Sequence, residues 1–378
     1  MRNLAARAGT ANTILQMKCV ASNPRANLNC GVAAQDYFPT EAELITNGAT
    51  QKNLHERAAA ATRAQFGREV FVRAVVEVSN FCRENCFYCG MRRDNRELKR
   101  FRALHEQLAE MLIHHRPASV TDINIQAGED PVAVREIVLP LIRTLRRETA
   151  LGISVCLGTL TPDIYAELRA AGAAVYIIKF ECGDARRYEQ LEAPGTLAER
   201  LRHIRQLAAS GWRVSSGFIA GLPQQTPEDL LNNFEVTAAL PLAGCSVSPF
   251  IPGEDTPLAK NPTANSDWTF NCVSALRLMR PDWVIPAVSA FNLAAQDGYR
   301  RGLRAGANLV TINLTPTDVR GDYVIYKRDR FIMTEERVLA AITAEGLAPS
   351  KRGLADFYRN RTVNGVATEK ISETTIQT

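Results

Sequence analysis

Short apolar runs alternate along most of the chain with longer segments in which apolar residues recur every three or four positions. The short runs predict strands, and the periodic segments predict amphipathic helices. The predicted strands are Val72–Val78, Asp122–Ala127, Gly152–Leu157, Ala174–Glu181, Trp212–Ala220, Cys245–Ile251, Val284–Ala290 and Asn308–Leu314. The predicted helices between them are Leu104–His115, Val132–Arg147, Pro162–Ala171, Leu197–Ser210, Glu228–Leu240, Trp268–Arg280 and Ala294–Ala305. This alternation is typical of a parallel sheet, and about eight units predict an α/β fold, a complete (β/α)8 TIM-type barrel.

The flanking segments differ in composition from this repeating region. Residues 1–36 form a basic leader, followed by an N-terminal helical extension over 37–68, the barrel over 69–348 and a polar tail over 349–378 that is expected to be disordered at its end. Because residues 1–35 contain no Asp or Glu, the leader fits either an organelle transit peptide or a poorly ordered extension. We favour the extension and a cytoplasmic location, with an organelle as the alternative.

Composition limits the classes of function. The formal net charge of +5 comes from interspersed signs, which gives little support for a nucleic-acid partner, and no apolar run is long enough to cross a bilayer. The nine cysteines are largely scattered, which favours a reducing compartment. Cys156, Cys245 and Cys272 lie in apolar contexts and are expected to be core thiols, while Cys19 and Cys30 are expected to be free thiols in the leader.

Cys82, Cys86 and Cys89 form a CxxxCxxC motif in the run VEVSNFCRENCFYCGMRRDN. Iron–sulfur clusters are normally held by four cysteine thiolates, so three leave one iron of a [4Fe–4S] cluster open to a small molecule. A zinc site would need a fourth Cys or His at short spacing, commonly in paired CxxC units, and no second pair follows. The motif therefore predicts a cluster in a loop after the first strand.

Polar and glycine residues at the ends of the next strands supply further candidates. Gly128 would let the backbone approach a ligand closely, and Glu129 offers a carboxylate to an ammonium group. Glu181 ends the fourth predicted strand, and Arg200 near the start of a helix could grip a carboxylate with its planar fork. Each has a structural alternative, because a Glu there often caps a helix and Arg200 could pair with Glu199 or Glu192.

The fifth predicted strand runs into a glycine-punctuated turn, Gly217–Pro223. A flat adenine ring could lie against the backbone of this turn, which contains Gly217, Ile219 and Gly221.

From about Ala42 to Asp318 the chain resembles the radical S-adenosylmethionine (SAM) superfamily, in its biotin synthase-like branch. The resemblance is carried by the triad run, QAGEDP, the Gly217–Pro223 turn, SPFIPGEDTPLA and NLTPT, and it is closest to the HydE group of [FeFe]-hydrogenase maturases, with methylornithine synthase also similar. It implies a [4Fe–4S] cluster on the three cysteines, and SAM whose reductive cleavage yields a 5′-deoxyadenosyl radical. It also implies an external electron donor such as flavodoxin or ferredoxin. The SAM contacts that it implies are Tyr88, Gln126, Gly128, Glu129, Glu181, Arg200, Gly217, Ile219 and Gly221, with Glu129, Glu181 and Arg200 as the catalytic group.

The departures from the family narrow the function. Positions where biotin synthase holds a second cluster appear here as Gln126, Ser154, Ser215 and Ala287, which cannot replace soft thiolates. Cys182 stands where the family usually has Thr after its strand-four Glu. The expected function is that of a HydE-like radical SAM enzyme that acts on a small polar substrate. A role in metallocofactor maturation, with a partner protein, is possible. The alternatives are a methylornithine synthase-type mutase or lyase, and a non-catalytic assembly scaffold.

Overall fold

The computed structural model describes residues 37–328 and 331–359. The expectations for the leader, and for the end of the tail after residue 359, lie outside these ranges. The strands are β1 (Glu69–Ser79), β2 (Asp122–Ala127), β3 (Gly152–Cys156), β4 (Val175–Ile177), β5 (Arg213–Ala220), β6 (Gly244–Pro249), β7 (Leu309–Asn313) and β8 (Ala348–Pro349). The helices are α1 (Glu41–Ile45), α2 (Gly48–Phe66), α3 (His105–His114), α4 (Pro131–Ala133), a π-helix (Val134–Val138), α5 (Leu139–Glu148), α6 (Pro162–Ala171), α7 (Ala185–Gln190), α8 (Leu197–Ala209), α9 (Pro227–Ala238), α10 (Ser266–Met279), α11 (Phe291–Ala294), α12 (Gly298–Arg304), α13 (Thr317–Arg320), α14 (Glu335–Ala344) and α15 (Leu354–Arg359).

The sheet is parallel and curled, in the order β6-β5-β4-β3-β2-β1-β7, with β8 added beside the start of β1. In β1, Arg73 is paired with Asp122 on one side and with Thr311 on the other, so β1 lies between β2 and β7. Helices between consecutive strands cover the outer face and bury one continuous apolar core. The α/β barrel architecture predicted from the alternating pattern is therefore confirmed.

The predicted strand Val284–Ala290 is wrong as a regular strand. The segment makes only two isolated parallel bridges, Gly244 with Val284 and Pro286 with Leu309, which connect the β6 edge to β7. Pro286 has no N–H to give to a ladder, and the N–H of Ile285 is donated at 2.8 Å to the Asn308 side chain instead. The barrel wall is completed here by single bridges.

Strand β4 is also shorter than predicted, because it ends at Ile177 and not at Glu181. Beyond it the backbone follows β5 irregularly, and the carbonyl of Gly217 accepts from the N–H groups of both Phe180 and Glu181. Glu181 itself has a φ of 60°, which is unusual for a residue other than glycine. This left-handed conformation turns the chain away from the sheet at the residue where the strand was expected to end.

Two predicted helices are interrupted for local reasons. In Val132–Arg147 a π-helical turn spans Val134–Val138, because Pro140 lacks the N–H that would bond the carbonyl of Glu136. In the predicted helix Ala294–Ala305, Ala294 is the last residue of α11 and the helix resumes as α12 only at Gly298, after Asp297, which has a φ of 53°.

The amino end of the barrel is covered by α15. Its buried Leu354, Phe357 and Tyr358 join an apolar cluster with Phe66 and Phe71. The carboxylate of Asp122 accepts the N–H of Leu354 at 2.8 Å and caps the helix. The first described part of the expected polar tail is therefore a packed helix. Within the described residues no helix has the length and apolarity to cross a membrane.

Candidate active site

The CxxxCxxC motif lies in the loop that follows β1, at the carboxyl end of the sheet. The loop is fastened by Arg100, whose guanidinium donates to the carbonyls of Met91 at 2.9 Å and Arg92 at 2.7 Å and also to that of Asn80. Four N–H donors in one planar group can fix several turns of irregular backbone at once. The segment NRELKRFR thus folds back to hold the cysteine loop.

A second fastening lies at the base of the same loop. The Asn80 amide donates to the carbonyls of Lys99 at 2.8 Å and Asp322 at 2.7 Å, while its oxygen accepts the N–H of Phe101. Asn80 is fully buried, so its hydrogen bonds are shielded from water. They join the cysteine loop to the chain on both sides of it.

The three cysteines are free thiols in this structure, with Cys86 buried and Cys82 and Cys89 half-buried. Burial raises the pKa of Cys82 and Cys86, and it raises the pKa of Cys89 to about 12, so thiolate formation there depends on bound positive charge. Among the described residues, no three His, Cys, Asp or Glu side chains converge on one point as ligands of a single metal ion. Cluster ligation asks for a different arrangement, because each thiolate binds a separate iron.

Gly128 brings the end of β2 against the cysteine loop. A Cβ at this position would lie 2.2 Å from the carbonyl oxygen of Phe81 and 2.9 Å from Cβ of Cys82. The following N–H, that of Glu129, donates to Sγ of Cys82 at 3.3 Å. This soft, N–H-bonded and desolvated sulfur environment fits an iron–sulfur cluster.

Glu129 and Arg200 meet beside the cysteine loop, although they lie on different elements. Both are buried, and Nη2 of Arg200 is 3.4 Å from Oε1 of Glu129. Arg200, in the first turns of α8, also donates to Oγ1 of Thr159 at 2.8 Å and to the Tyr188 hydroxyl at 3.3 Å. Burial alone would lower the pKa of Arg200, but the Glu129 carboxylate outweighs it and the pKa is raised. The ion-pair partner of Arg200 is thus Glu129, and not Glu199 or Glu192, the alternatives that the sequence offered. Glu199 instead caps the start of its own helix together with Thr196.

Glu181 faces the same region from the other side of the opening. Its Oε2 lies 3.5 Å from Nζ of Lys179 but makes no hydrogen bond. Burial alone would lower the pKa of Lys179, yet the Glu181 carboxylate keeps that pKa above its ordinary value. Glu181 therefore retains an acceptor oxygen that a ligand could use.

The segment predicted as an adenine-facing turn packs close to the cysteine loop, but its residues 217–220 belong to β5 and the turn begins only at Gly221. Ile219 belongs to a small apolar cluster against which Tyr88 packs, and its N–H donates to the carbonyl of Glu181 at 2.9 Å. Gly217 is required by close packing, because its Cβ would lie 2.2 Å from Oγ of Ser246. Gly221 has a φ of 81° and donates its N–H to the Gln225 side chain at 2.6 Å.

Cys182 takes no part in the cysteine loop. It is buried, and its sulfur contacts the carbonyl of Asp184 at 3.8 Å. The position that departs from the family pattern thus faces the start of α7.

A cavity of about 220 Å³ lies inside the barrel. Its polar wall includes Arg73, Glu77, Asn124, Gln126, Cys156, Lys179, Ser215, Ser246, Ser248, Thr311 and Asn313. Gln126 therefore faces the cavity. The expectation that Cys156 is a core thiol is wrong, whereas Cys245 and Cys272 are buried in the apolar core as expected. Sequence reasoning also missed Arg73, Glu77 and Lys179 as residues of the cavity wall. The available signal was the alternation along a strand, in which every second side chain points to the same face.

The comparisons with known proteins agree with this arrangement. The family profile "Radical SAM superfamily" matches residues 76–236. The [FeFe] hydrogenase maturase subunit HydE of Thermotoga maritima is 31% identical over 286 residues, which are 76% of this chain and 82% of that protein. A 3-methylornithine synthase of Methanosarcina acetivorans is 25% identical over 75% of this chain and 81% of that protein. The crystal structure of methylornithine synthase superposes with a TM-score of 0.75 at 23% identity, covering 84% of this chain and 96% of that one.

The chain belongs to the radical SAM superfamily and is an enzyme that uses a [4Fe–4S] cluster and SAM. Within the superfamily it is similar to HydE and to methylornithine synthase. Enzymes of this superfamily act on small molecules with the help of an external reductant.

Proposed function

We propose that Cys82, Cys86 and Cys89 hold the [4Fe–4S] cluster and that Glu129, Glu181 and Arg200 hold SAM beside it. The carrying observation is the meeting of these groups, from four different segments, at the carboxyl end of one barrel above one polar cavity. Glu129 and Arg200 are in contact, and together they suit the ammonium and the carboxylate of the amino acid part of SAM. On binding, each side chain would exchange one protein partner for a group of the ligand.

The residues of the chain have separable tasks in this proposal. Arg200 would bind the SAM carboxylate, while Glu129, or Glu181 through its free oxygen, would accept the SAM ammonium. Tyr88 and the end of β5, with Gly217, Ile219 and the following Gly221, would line the adenine side. Reductive cleavage of SAM at the cluster supplies a 5′-deoxyadenosyl radical. The barrel wall would hold the substrate in line with it and exclude water.

The substrate is proposed to be a small polar molecule in the barrel cavity, as in a HydE-like enzyme with a role in metallocofactor maturation. The similarity to HydE, the highest identity reported above, supports this choice. In that role the enzyme would receive electrons from a flavodoxin or ferredoxin and act with a maturation partner protein. A methylornithine synthase-type rearrangement is the second candidate, supported by 25% identity over 75% of the chain.

The cluster assignment can be tested with single cysteine variants. Cys82→Ala, Cys86→Ala and Cys89→Ala should each lose the cluster of about four irons and four sulfides per chain and the cleavage of SAM under dithionite. Cys182→Ala is the matched control, because Cys182 is buried nearby but faces Asp184, and it should keep both. Iron and sulfide analysis after anaerobic reconstitution gives the readout.

Full iron content in a triad variant, or loss of it in Cys182→Ala, would contradict the ligand assignment. An intact cluster without any SAM cleavage in the native chain would instead favour the scaffold alternative. Deuterium transfer from labelled lysine into 5′-deoxyadenosine would identify a hydrogen-abstracting rearrangement, whereas an adenosyl adduct on a cysteine derivative would identify a HydE-like reaction.

A further inference from the structure

Leu104 is the most exposed large apolar side chain of the described residues, with 67% of its surface accessible. It occupies the N-cap position of α3, where Ser, Thr, Asp or Asn would accept a free N–H of the first turn, and its side chain makes no such bond. The residue therefore forgoes helix stability and exposes apolar surface at the same time. A position that breaks two local rules without a gain to the fold is typical of a contact surface.

Two further apolar side chains accompany Leu104. Arg102 and Leu104 are both exposed and the residue between them is buried, so they point to the same outer face. Cζ of Arg102 lies 4.1 Å from the centre of the Phe81 ring. The same guanidinium donates at 2.7 and 3.0 Å to Asp130, two residues before Val132, which is 42% exposed. Phe81, Leu104 and Val132 therefore lie around one arginine, and we call these three residues the Leu104 patch.

The Leu104 patch adjoins the loop that carries the three cysteines. Phe81 directly precedes Cys82 in the chain. The N–H that donates to Sγ of Cys82 at 3.3 Å belongs to Glu129, three residues before Val132. A protein bound to the patch would therefore lie against the segments that carry the proposed cluster site.

The loop beside the patch is basic. Residues 81–104 carry seven Arg or Lys and three Asp or Glu, which gives this segment a net formal charge of +4. The side chains of Arg93, Arg96 and Lys99 in this segment are exposed. Exposed apolar side chains next to a cationic surface suit a partner protein that is acidic, because the charges steer its approach and the apolar contact holds it.

We propose that the Leu104 patch is the docking surface of an acidic one-electron carrier protein of the flavodoxin type. Enzymes of this superfamily use an external reductant, and electron transfer slows steeply with distance, so the carrier has to bind close to the cluster. In the docked complex one electron passes from the carrier, which is oxidised by one electron, to the cluster, which is reduced by one. This inference rests on the proposed function, since it requires the cluster to be held by the three cysteines of the loop.

The test measures binding separately from turnover. Oxidised flavodoxin is titrated anaerobically into cluster-loaded enzyme by calorimetry, and the Kd should rise by about tenfold between about 0.02 and 0.3 M salt. Leu104→Asp should weaken binding by about tenfold or more, although an Asp at this N-cap should keep or improve the stability of α3. Ile45→Asp, at an exposed apolar position on α1, is the matched control and should bind as wild type does.

The basic charges are tested with a double variant. Arg96→Glu combined with Lys99→Glu should slow association by about tenfold at low salt and by much less at high salt. Lys52→Glu combined with Arg63→Glu reverses two exposed charges on α2 and is the matched control.

The choice of reductant separates docking from the chemistry at the cluster. SAM cleavage driven by reduced flavodoxin should fall in Leu104→Asp and in the Arg96 and Lys99 double variant. Cleavage driven by dithionite should stay at the wild-type rate, because a small reductant needs no docking surface. An equal loss under both reductants would overturn the proposal, since the patch would then serve the cluster and not the carrier.

The binding data give further grounds for rejection. Equal flavodoxin affinity in wild type and Leu104→Asp, salt-independent binding, or failure of wild type to bind flavodoxin would each overturn the proposal. Tighter binding of single-stranded RNA than of flavodoxin, lost in Leu104→Asp, would assign the patch to another partner and overturn it too. If Leu104→Asp does not fold, Val132→Asp in the first turn of α4 replaces it with the same expected result. Absence of dithionite-driven SAM cleavage in cluster-loaded wild type would refute the proposed function and leave the binding result standing.

Discussion

Two arginines, one in the outer shell of the barrel and one lining its interior, differ in their hydrogen bonding. Arg277, on α10, is fully buried and donates to the carbonyls of Gly306 at 2.9 Å, Pro281 at 2.8 Å and Trp283 at 2.8 Å and to the side chain of Asn308 at 2.8 Å. Arg73 in the interior has a single hydroxyl partner at 3.3 Å. The saturated arginine stabilises the irregular wall segment near Val284, whereas the unsaturated one retains hydrogen-bonding capacity. The two arginines thus differ in how far the protein itself satisfies their hydrogen-bonding capacity.

Removing Arg277 should break this contrast most strongly. Arg277→Met leaves several buried acceptors without a donor, and we expect a loss of about 3 kcal/mol or more in the free energy of unfolding. Denaturant unfolding of this variant beside Arg73→Met measures the difference directly. Equal stability of the two variants would contradict the distinction between the two regions.

Arg200 provides an intermediate case, because it is well bonded and is also assigned to SAM. Arg200→Ala should weaken SAM binding by about ten- to a hundredfold, or roughly 1.5–3 kcal/mol, while iron content stays near the native value. Arg205→Ala, on the exposed face of the same helix, is the matched control. Unchanged SAM titration in Arg200→Ala would show that the residue serves only the Glu129 network.

Gly128 sharpens the comparison at the level of the backbone. Gly128→Ala places a Cβ 2.2 Å from the carbonyl of Phe81, so the cysteine loop must shift, at a cost of about 1–3 kcal/mol and with weaker cluster retention. Gly321→Ala is the control, since its Cβ would meet nothing within 4 Å. The measurement is the rate of iron loss to a chelator, and equal rates in the two variants would argue against close packing at Gly128.

The smallest effect is expected in the outer shell at His55. Burial lowers the pKa of this half-buried histidine, and its Nε2 lies 3.2 Å from Oδ1 of Asn271. Because the unfolded chain then binds a proton more readily, stability should fall as the pH drops below about 6.5, the ordinary value for histidine. Thermal unfolding between pH 5 and 7 should show a shallower pH dependence in His55→Gln. An identical pH dependence in both proteins would show that His55 does not cause the loss of stability at low pH.

The sequence predicted most of this molecule where local pattern and local chemistry agree. The cysteine spacing, the strand order and the polar residues after β2 are all local signals, and the predicted cluster loop lies where the barrel argument placed it. Cys156 could not be recognised, because an apolar sequence context does not distinguish a residue facing the lumen from one facing the helices. Arg73 was missed for the same reason. The seventh predicted strand, Val284–Ala290, does not form as a regular strand, because the side chain of Asn308 takes the backbone N–H of Ile285.

The helix α15 has a consequence for the order of events in catalysis. It covers the amino end of the barrel, so a molecule in the cavity would enter and leave by the carboxyl-end opening, past the groups proposed to hold SAM. With SAM held as proposed, substrate would load before SAM, and product would depart after the SAM fragments have left. Steady-state measurements should then follow a compulsory-order mechanism, in which saturating SAM slows substrate entry and the last product competes with the first substrate for the free enzyme.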